Sequence, residues 1–322
     1  MKATTPAQHR QAIWMLLLAN FFWGVSFPLI KAMALLQQRI VPGSSHWFIT
    51  ATSLFPRFAI AALILAFVCH RTLRTLTRSE WRQGAGLGLF AVGGMALQND
   101  GLQFTSASTS AFLTQFYAIL IPMYLAIRIR RLPPWTVWVA CGLVLAGVAA
   151  LARLDLQAVK LGRGELETLL SSVFFMAQIL WLERAEFSGN RPLGVTCLMF
   201  VVEAGVAGVM MLALAPRGAD VLALAGNVPW LGFTVALTLL CTLGSFTLMN
   251  VWQPRMTATE AGLLYTAEPL FTAMMALFLP AWFSAWGGFD YPNETLTRHL
   301  LIGGGLITAA NVLAQLQPLR RP

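Results

Sequence analysis

Residues 248–264 read LMNVWQPRMTATEAGLL, and residues 97–113 read LQNDGLQFTSASTSAFL. Set over one another at an offset of 151, Asn250 falls on Asn99, Thr257 on Ser106, Ala258 on Ala107 and Thr259 on Ser108. Upstream at the same offset, Gly244 falls on Gly93. Further along, GGLITAA (304–310) matches CGLVLAG (141–147) at an offset of 163. The change of offset places about twelve extra residues in the second half, and SAWGGFDYPNET (284–295), the most polar late loop, is where they fit. The pattern predicts a duplication, with one copy in residues 1–152 and the other in 153–322.

What is duplicated follows from composition. Apolar residues make up 57% of the 322 and charged residues 11%, against about 25% charged in a soluble domain. Too few polar side chains remain to coat a water-facing surface, so the chain reads as an integral membrane protein. Ten apolar runs approach the length that crosses a bilayer: 13–34, 48–69, 84–103, 106–127, 134–152, 164–184, 193–214, 229–250, 259–282 and 299–316. Lipid satisfies no open backbone group and no alternating barrel pattern is present, so the spans are predicted to be helices. Five spans per copy is an odd number, so the two copies enter the membrane in opposite orientations. The predicted fold is all-α: ten transmembrane helices as two inverted five-helix repeats.

The first span has basic residues before it and Ala32-Met33-Ala34 after it, as a cleaved leader would. Its apolar run is too long for one, and it reads as a retained span. The net charge of +9 reads as topology, not as a nucleic-acid surface. With the N-terminus inside, the inner segments hold 14 Lys and Arg residues and the outer segments 6. That bias predicts both termini in the cytoplasm. The four cysteines lie in or at the end of apolar runs without CxxC spacing, which predicts neither a metal site nor disulfides. The glycines of GAGLGLFAVGG (84–94) lack the strand–turn–helix setting of a nucleotide loop and read as helix-contact positions. No Walker motif is present and no cofactor is predicted.

FFWGVSF (21–27), GLQFTSAS (101–108), AGLLYTAEPLFTAMMAL (261–277) and ETLTRHLLIGGGLI (294–307), in that order, resemble the EamA-type transporters of the drug/metabolite transporter (DMT) superfamily. The resemblance implies the ten-helix inverted-repeat fold and alternating access to a central cavity. It also implies a bacterial inner-membrane location, a small-molecule substrate and, in most members, export of metabolites such as amino acids. A homodimer stays open. The competing functions are a membrane-embedded enzyme and a non-transporting sensor. The four histidines sit at or before span ends, with no catalytic grouping around them.

Charges and polar groups at depth carry the functional reading. Glu268 and Pro269 interrupt an apolar run, and at the 151 offset Glu268 falls on Tyr117. Trp23 sits well inside the first span, where its indole needs a partner or a cavity. The expected substrate-binding set is Trp23, Tyr117, Tyr265 and Glu268, with a kink at Pro269. Each has a structural alternative: core packing for Trp23, a protonated glutamate tied to a kinked helix for Glu268. Arg57 and Glu203 lie at matching depths of spans two and seven and read first as structural groups, with a substrate carboxylate as the other reading for Arg57. Lys31 reads as a snorkelling residue, and Asp100 and Gln253 as helix-end groups.

Overall fold

The computed structural model describes residues 6–128, 130, 132, 135–151, 161–215, 218–256 and 258–316. Helix makes up 84% of the structure, and no strand occurs among the described residues. In chain order the helices are α1 (Pro6–Ile40), α2 (His46–Val68), α3 (His70–Leu73), α4 (Arg78–Gly101), α5 (Ala107–Thr114), α6 (Tyr117–Arg128), α7 (Trp135–Leu151) and α8 (Arg163–Leu182). There follow α9 (Pro192–Leu214), α10 (Gly218–Ala225), α11 (Val228–Ala236), α12 (Ser245–Trp252), α13 (Ala258–Tyr265), α14 (Glu268–Ala276), α15 (Leu279–Gly287) and α16 (Arg298–Leu316). A π-helical segment, Leu237–Gly244, joins α11 to α12.

Local chemistry starts the helices. Ser45 and Ser106 each accept a hydrogen bond from the backbone N–H three residues on, at 3.1 and 3.0 Å. Thr77 and Glu80 cap α4 reciprocally. The Glu80 carboxylate also takes two side-chain hydrogen bonds from Arg191, at 2.7 and 2.8 Å, joining the start of α4 to the start of α9. Those Arg191 bonds, helped by the backbone N–H groups of Thr77 and Arg191, outweigh the cost of burial and hold its pKa down at about 2.

The polarity of the bundle is inverted. Leu63, Phe67, Ile127 and Leu212 are more than two-thirds exposed, while Gln37, Thr52, Arg57, Asn99, Ser110, Thr242 and Asn250 are buried. Water would favour the reverse; lipid outside and polar contacts inside favour this. Among the described residues six helical runs are long and apolar enough to cross a bilayer, and α14 with α15, bent by 55°, makes a seventh if counted as one span. The chain is a multi-pass membrane protein. α16 is not among those runs, and two other predicted spans fall short for local reasons, as does the first part of the ninth. α4 carries Arg78, Glu80 and Arg82 at one end and Gln98, Asn99 and Asp100 at the other. α7 has 17 residues, and α13 has eight before the chain breaks.

Small residues set the packing. A Cβ on Gly84 or Gly88 would lie 2.6–2.7 Å from the Cβ of Leu198 or Val202, so α4 meets α9 at backbone distance. These glycines therefore make helix contacts, as their spacing suggested. α2 packs on α9, α4 on α8, α7 on α16, and α1 on α12 and α14.

Candidate functional site

A small central cavity of about 70 Å³ lies among α1, α2, α4, α5, α6, α8, α12, α13 and α14. All four expected residues, Trp23, Tyr117, Tyr265 and Glu268, stand on its wall. Trp23 meets Phe246 and Tyr265 edge to face, with ring centroids 5.3 and 5.9 Å apart. The Tyr265 hydroxyl donates to Gln253 Oε1 at 2.6 Å, which holds its ring upright.

Two helix breaks place Tyr117 and Glu268. The helix through α5 and α6 opens at Gln115 and Phe116; the helix through α13 and α14 opens at Thr266 and Ala267. The positions differ by 151 in both cases. Tyr117 begins α6 and Glu268 begins α14. This corrects the role expected of Pro269. The first break has Ala118 where the second has Pro269, so a break at this position does not require a proline there. Pro269 lies in the first turn of α14, where a missing N–H costs nothing. Glu268 in that turn is favoured by the partial positive charge of a helix start. Its carboxylate receives no hydrogen bond from the described residues and is 7% exposed, towards the cavity.

Gly24 brings α1 against this break. A Cβ there would lie 2.6 Å from Phe271 Cβ and 3.0 Å from the Thr272 nitrogen. The glycine in FFWGVSF is thus a contact that seats Trp23 beside Glu268.

Arg57 also lines the cavity. It hydrogen bonds Thr242 Oγ1 and, at 3.4 Å, the carbonyl of Cys241, both in the π-helical segment; its Nη1 has no hydrogen-bond partner among the described residues. The Thr242 hydroxyl donates to the Leu237 carbonyl five residues back, at 3.0 Å. The π geometry leaves carbonyls for Arg57 to take. Glu203 is buried with neither carboxylate oxygen hydrogen bonded, so it makes no hydrogen bond to Arg57. Arg57 thus has a structural bond and a cavity face at once. Asp100 pairs with Arg163 of α8, and Gln253 holds Tyr265, so both bridge helices instead of finishing their own.

The cavity wall has a regularity that the linear reading missed. Met95 and Phe246, Gln98 and Met249, Thr114 and Tyr265, and Tyr117 and Glu268 all line it, and each pair lies 151 residues apart. Trp23 and Phe175, Ser26 and Gln178, and Phe27 and Ile179 line it at 152. The signal was present as the same offset found at 97–113, but apolar pairs such as Met95 with Phe246 carry no weight until they share a surface.

Residues 10–153 match the family model of the EamA-like transporter family, a DMT-superfamily family, which bears out the resemblance over that stretch. No curated protein matches the chain. Among solved structures, one crystal structure is similar with a TM-score of 0.57 and 16% identity, covering 95% of this chain and 96% of its own. At that identity the likeness speaks for the fold alone.

Proposed function

We propose that this chain is a secondary transporter that exports a small metabolite, such as an amino acid or related compound, by alternating access between two inverted five-helix repeats, residues 1–152 and 153–322. The observation that carries the reading is the cavity wall, built from residue pairs at one offset and centred on two equivalent helix breaks. Broken helices at membrane depth are tolerated where they line a cavity, and they form the binding sites of many transporters with repeats. α2 packs on α9 and α7 on α16, each the equivalent of the other under the offset, as an internal twofold relation requires. The EamA match supports transport over catalysis.

The substrate would contact Trp23, Tyr117, Tyr265 and Glu268. Glu268 faces an amine or a coupling proton, and the free Nη1 of Arg57 faces a carboxylate at the other charged point of the wall. The flat aromatic faces of Trp23 and Tyr265 take the apolar body. The location is the bacterial inner membrane, with both termini cytoplasmic, as the distribution of Lys and Arg indicates.

The test is counterflow in proteoliposomes loaded with amino acids, nucleobases and aromatic metabolites. The expected result is saturable exchange of one class that Glu268→Gln impairs. Exchange unaffected by substitution at every one of Trp23, Tyr117, Tyr265 and Glu268 would remove the cavity from the pathway.

A further inference from the structure

We infer that Lys31 and Glu183 are the latches of two gates, one at each end of the central cavity. The inference rests on the transport reading above. Set FFWGVSFPLIK (21–31) over VFFMAQILWLE (173–183), 152 residues on, and the last letters pair Lys31 with Glu183. Both lie four residues, about one helical turn, beyond wall residues Phe27 and Ile179.

Each latch reaches the turn before the broken helix of its own half. Lys31 Nζ donates to the Thr105 carbonyl, in the turn between α4 and α5. Glu183 Oε1 accepts from Gln253 Nε2 at 3.5 Å, in the turn between α12 and α13. The two crossbars occupy equivalent places with opposite charges.

They also sit at opposite ends of the bundle, and α4 is the ruler. Its last residue, Gly101, touches Gly164 at the start of α8, and its early residue Gly86 touches Trp181 at the end of α8. α8 therefore runs against α4. Thr105, just past the end of α4, takes Lys31 with it to one end, and Glu183, just past the end of α8, is at the other.

Each crossbar ties together elements at its own end. At the Glu183 end a second cavity is lined by Leu180, Trp181, Glu183 and Arg184. Gln253, fully buried, links one residue of each wall: its amide N–H donates to Glu183 of the second cavity, and its Oε1 accepts from the Tyr265 hydroxyl of the central one. The second cavity is thus the vestibule of the same pathway, shut off by the Tyr265–Gln253–Glu183 chain. At the Lys31 end, Glu294 lies within electrostatic reach of Lys31 and accepts from the backbone N–H groups of Ala107 and Ser108, at 2.8 and 3.4 Å. That ties the late polar loop to the start of α5. Opening one end requires its crossbar to break while the other holds, and side chains that reach across helices from one helix to one turn suit that rocking motion.

The experiment places a reporter thiol on the central wall, Ser26→Cys, in the full chain reconstituted into vesicles. A membrane-impermeant maleimide is applied from each face separately. The native thiols Cys69, Cys197 and Cys241 are buried and Cys141 is half-buried, so the chain without Ser26→Cys gives the background. Lys31→Met removes one crossbar and Gln253→Leu the other, both at similar volume. The expected result is labelling raised about tenfold from the Lys31 face alone in the first, and from the opposite face alone in the second, the loss of one charge-assisted hydrogen bond. Tyr265→Phe follows Gln253→Leu in direction and replaces it if that variant fails to fold, as Lys31→Gln replaces Lys31→Met. Unchanged labelling in folded variants, or both variants opening the same face, overturns the inference. Labelling requires no substrate, so an empty counterflow screen sinks the transport reading without touching this result, and the reverse also holds.

Discussion

Gly24→Ala is the smallest change that tests how the site is held. The added methyl would stand 2.6 Å from Phe271 Cβ and 3.0 Å from the Thr272 nitrogen, where ordinary contact begins near 3.4 Å. Neither neighbour is the free end of a flexible side chain, so relief must come from moving α1 away from α14 by about 1 Å. Overpacking of this kind costs about 1–3 kcal/mol. Replacing a helix-interior glycine returns about 0.5–1 kcal/mol. The net expectation is a loss of roughly 1–2 kcal/mol, which in a chain of this size lowers the melting midpoint by about 1.5–3 °C. Gly142→Ala and Gly305→Ala are the controls, because a Cβ at either meets nothing within 4 Å. Both should melt at or slightly above the parent. The assay is a detergent-solubilised melt at one fixed scan rate, since membrane proteins unfold irreversibly. Because Trp23 adjoins the displaced residue and Glu268 starts the helix it presses on, exchange activity should fall in step with stability. If Gly24→Ala melts like the two controls, α1 and α14 are not at backbone distance, and the placement of Trp23 beside Glu268 fails with them.

Four further outcomes are expected. Glu268→Gln keeps the shape and removes the charge; exchange should fall about tenfold and lose its dependence on pH between about 5.5 and 8, and a parental rate and profile would leave the glutamate without a role. Arg57→Ala strands the Thr242 hydroxyl and the Cys241 carbonyl, and should cost about 2–4 kcal/mol by melting, with Arg57→Lys recovering part; a parental melt with binding abolished would make Arg57 a ligand contact only. Arg191→Met should lower the melting midpoint at neutral pH only modestly, because Arg191 is 41% exposed and water screens the pair. The Glu80 pKa is depressed to about 2, so the difference between parent and variant is fully present above the ordinary carboxylate range and shrinks as pH falls below it; a gap that widens on acidification would contradict the pairing. Reporter fusions after residues 76, 130, 188 and 322 should read inside, and fusions near 44, 158, 220 and 290 outside; an odd number of crossings would break the repeat argument.

The sequence by itself determined the class of molecule and singled out four residues that share one cavity wall. Charged residues too sparse to face water, apolar runs of bilayer length and a 151-residue self-match are properties of the chain in one dimension, and each follows from solvent chemistry or chain length alone. Trp23, Tyr117, Tyr265 and Glu268 were legible because a polar or indole group in a lipid-depth helix is costly unless it has somewhere to point. Tertiary structure alone decided where they point: onto one cavity. It also showed that a break at this position does not need Pro269, because the matching break at Gln115 and Phe116 has Ala118 in its place and meets its first proline, Pro122, only inside α6. Lys31 and Gln253 looked like ordinary span-end groups, since a crossbar joins residues 74 and 70 positions apart along the chain. Periodicity reports which face of a helix a residue occupies. Which carbonyl or amide waits across the gap is set by how the helices pack, and the run of letters contains that only after it has folded.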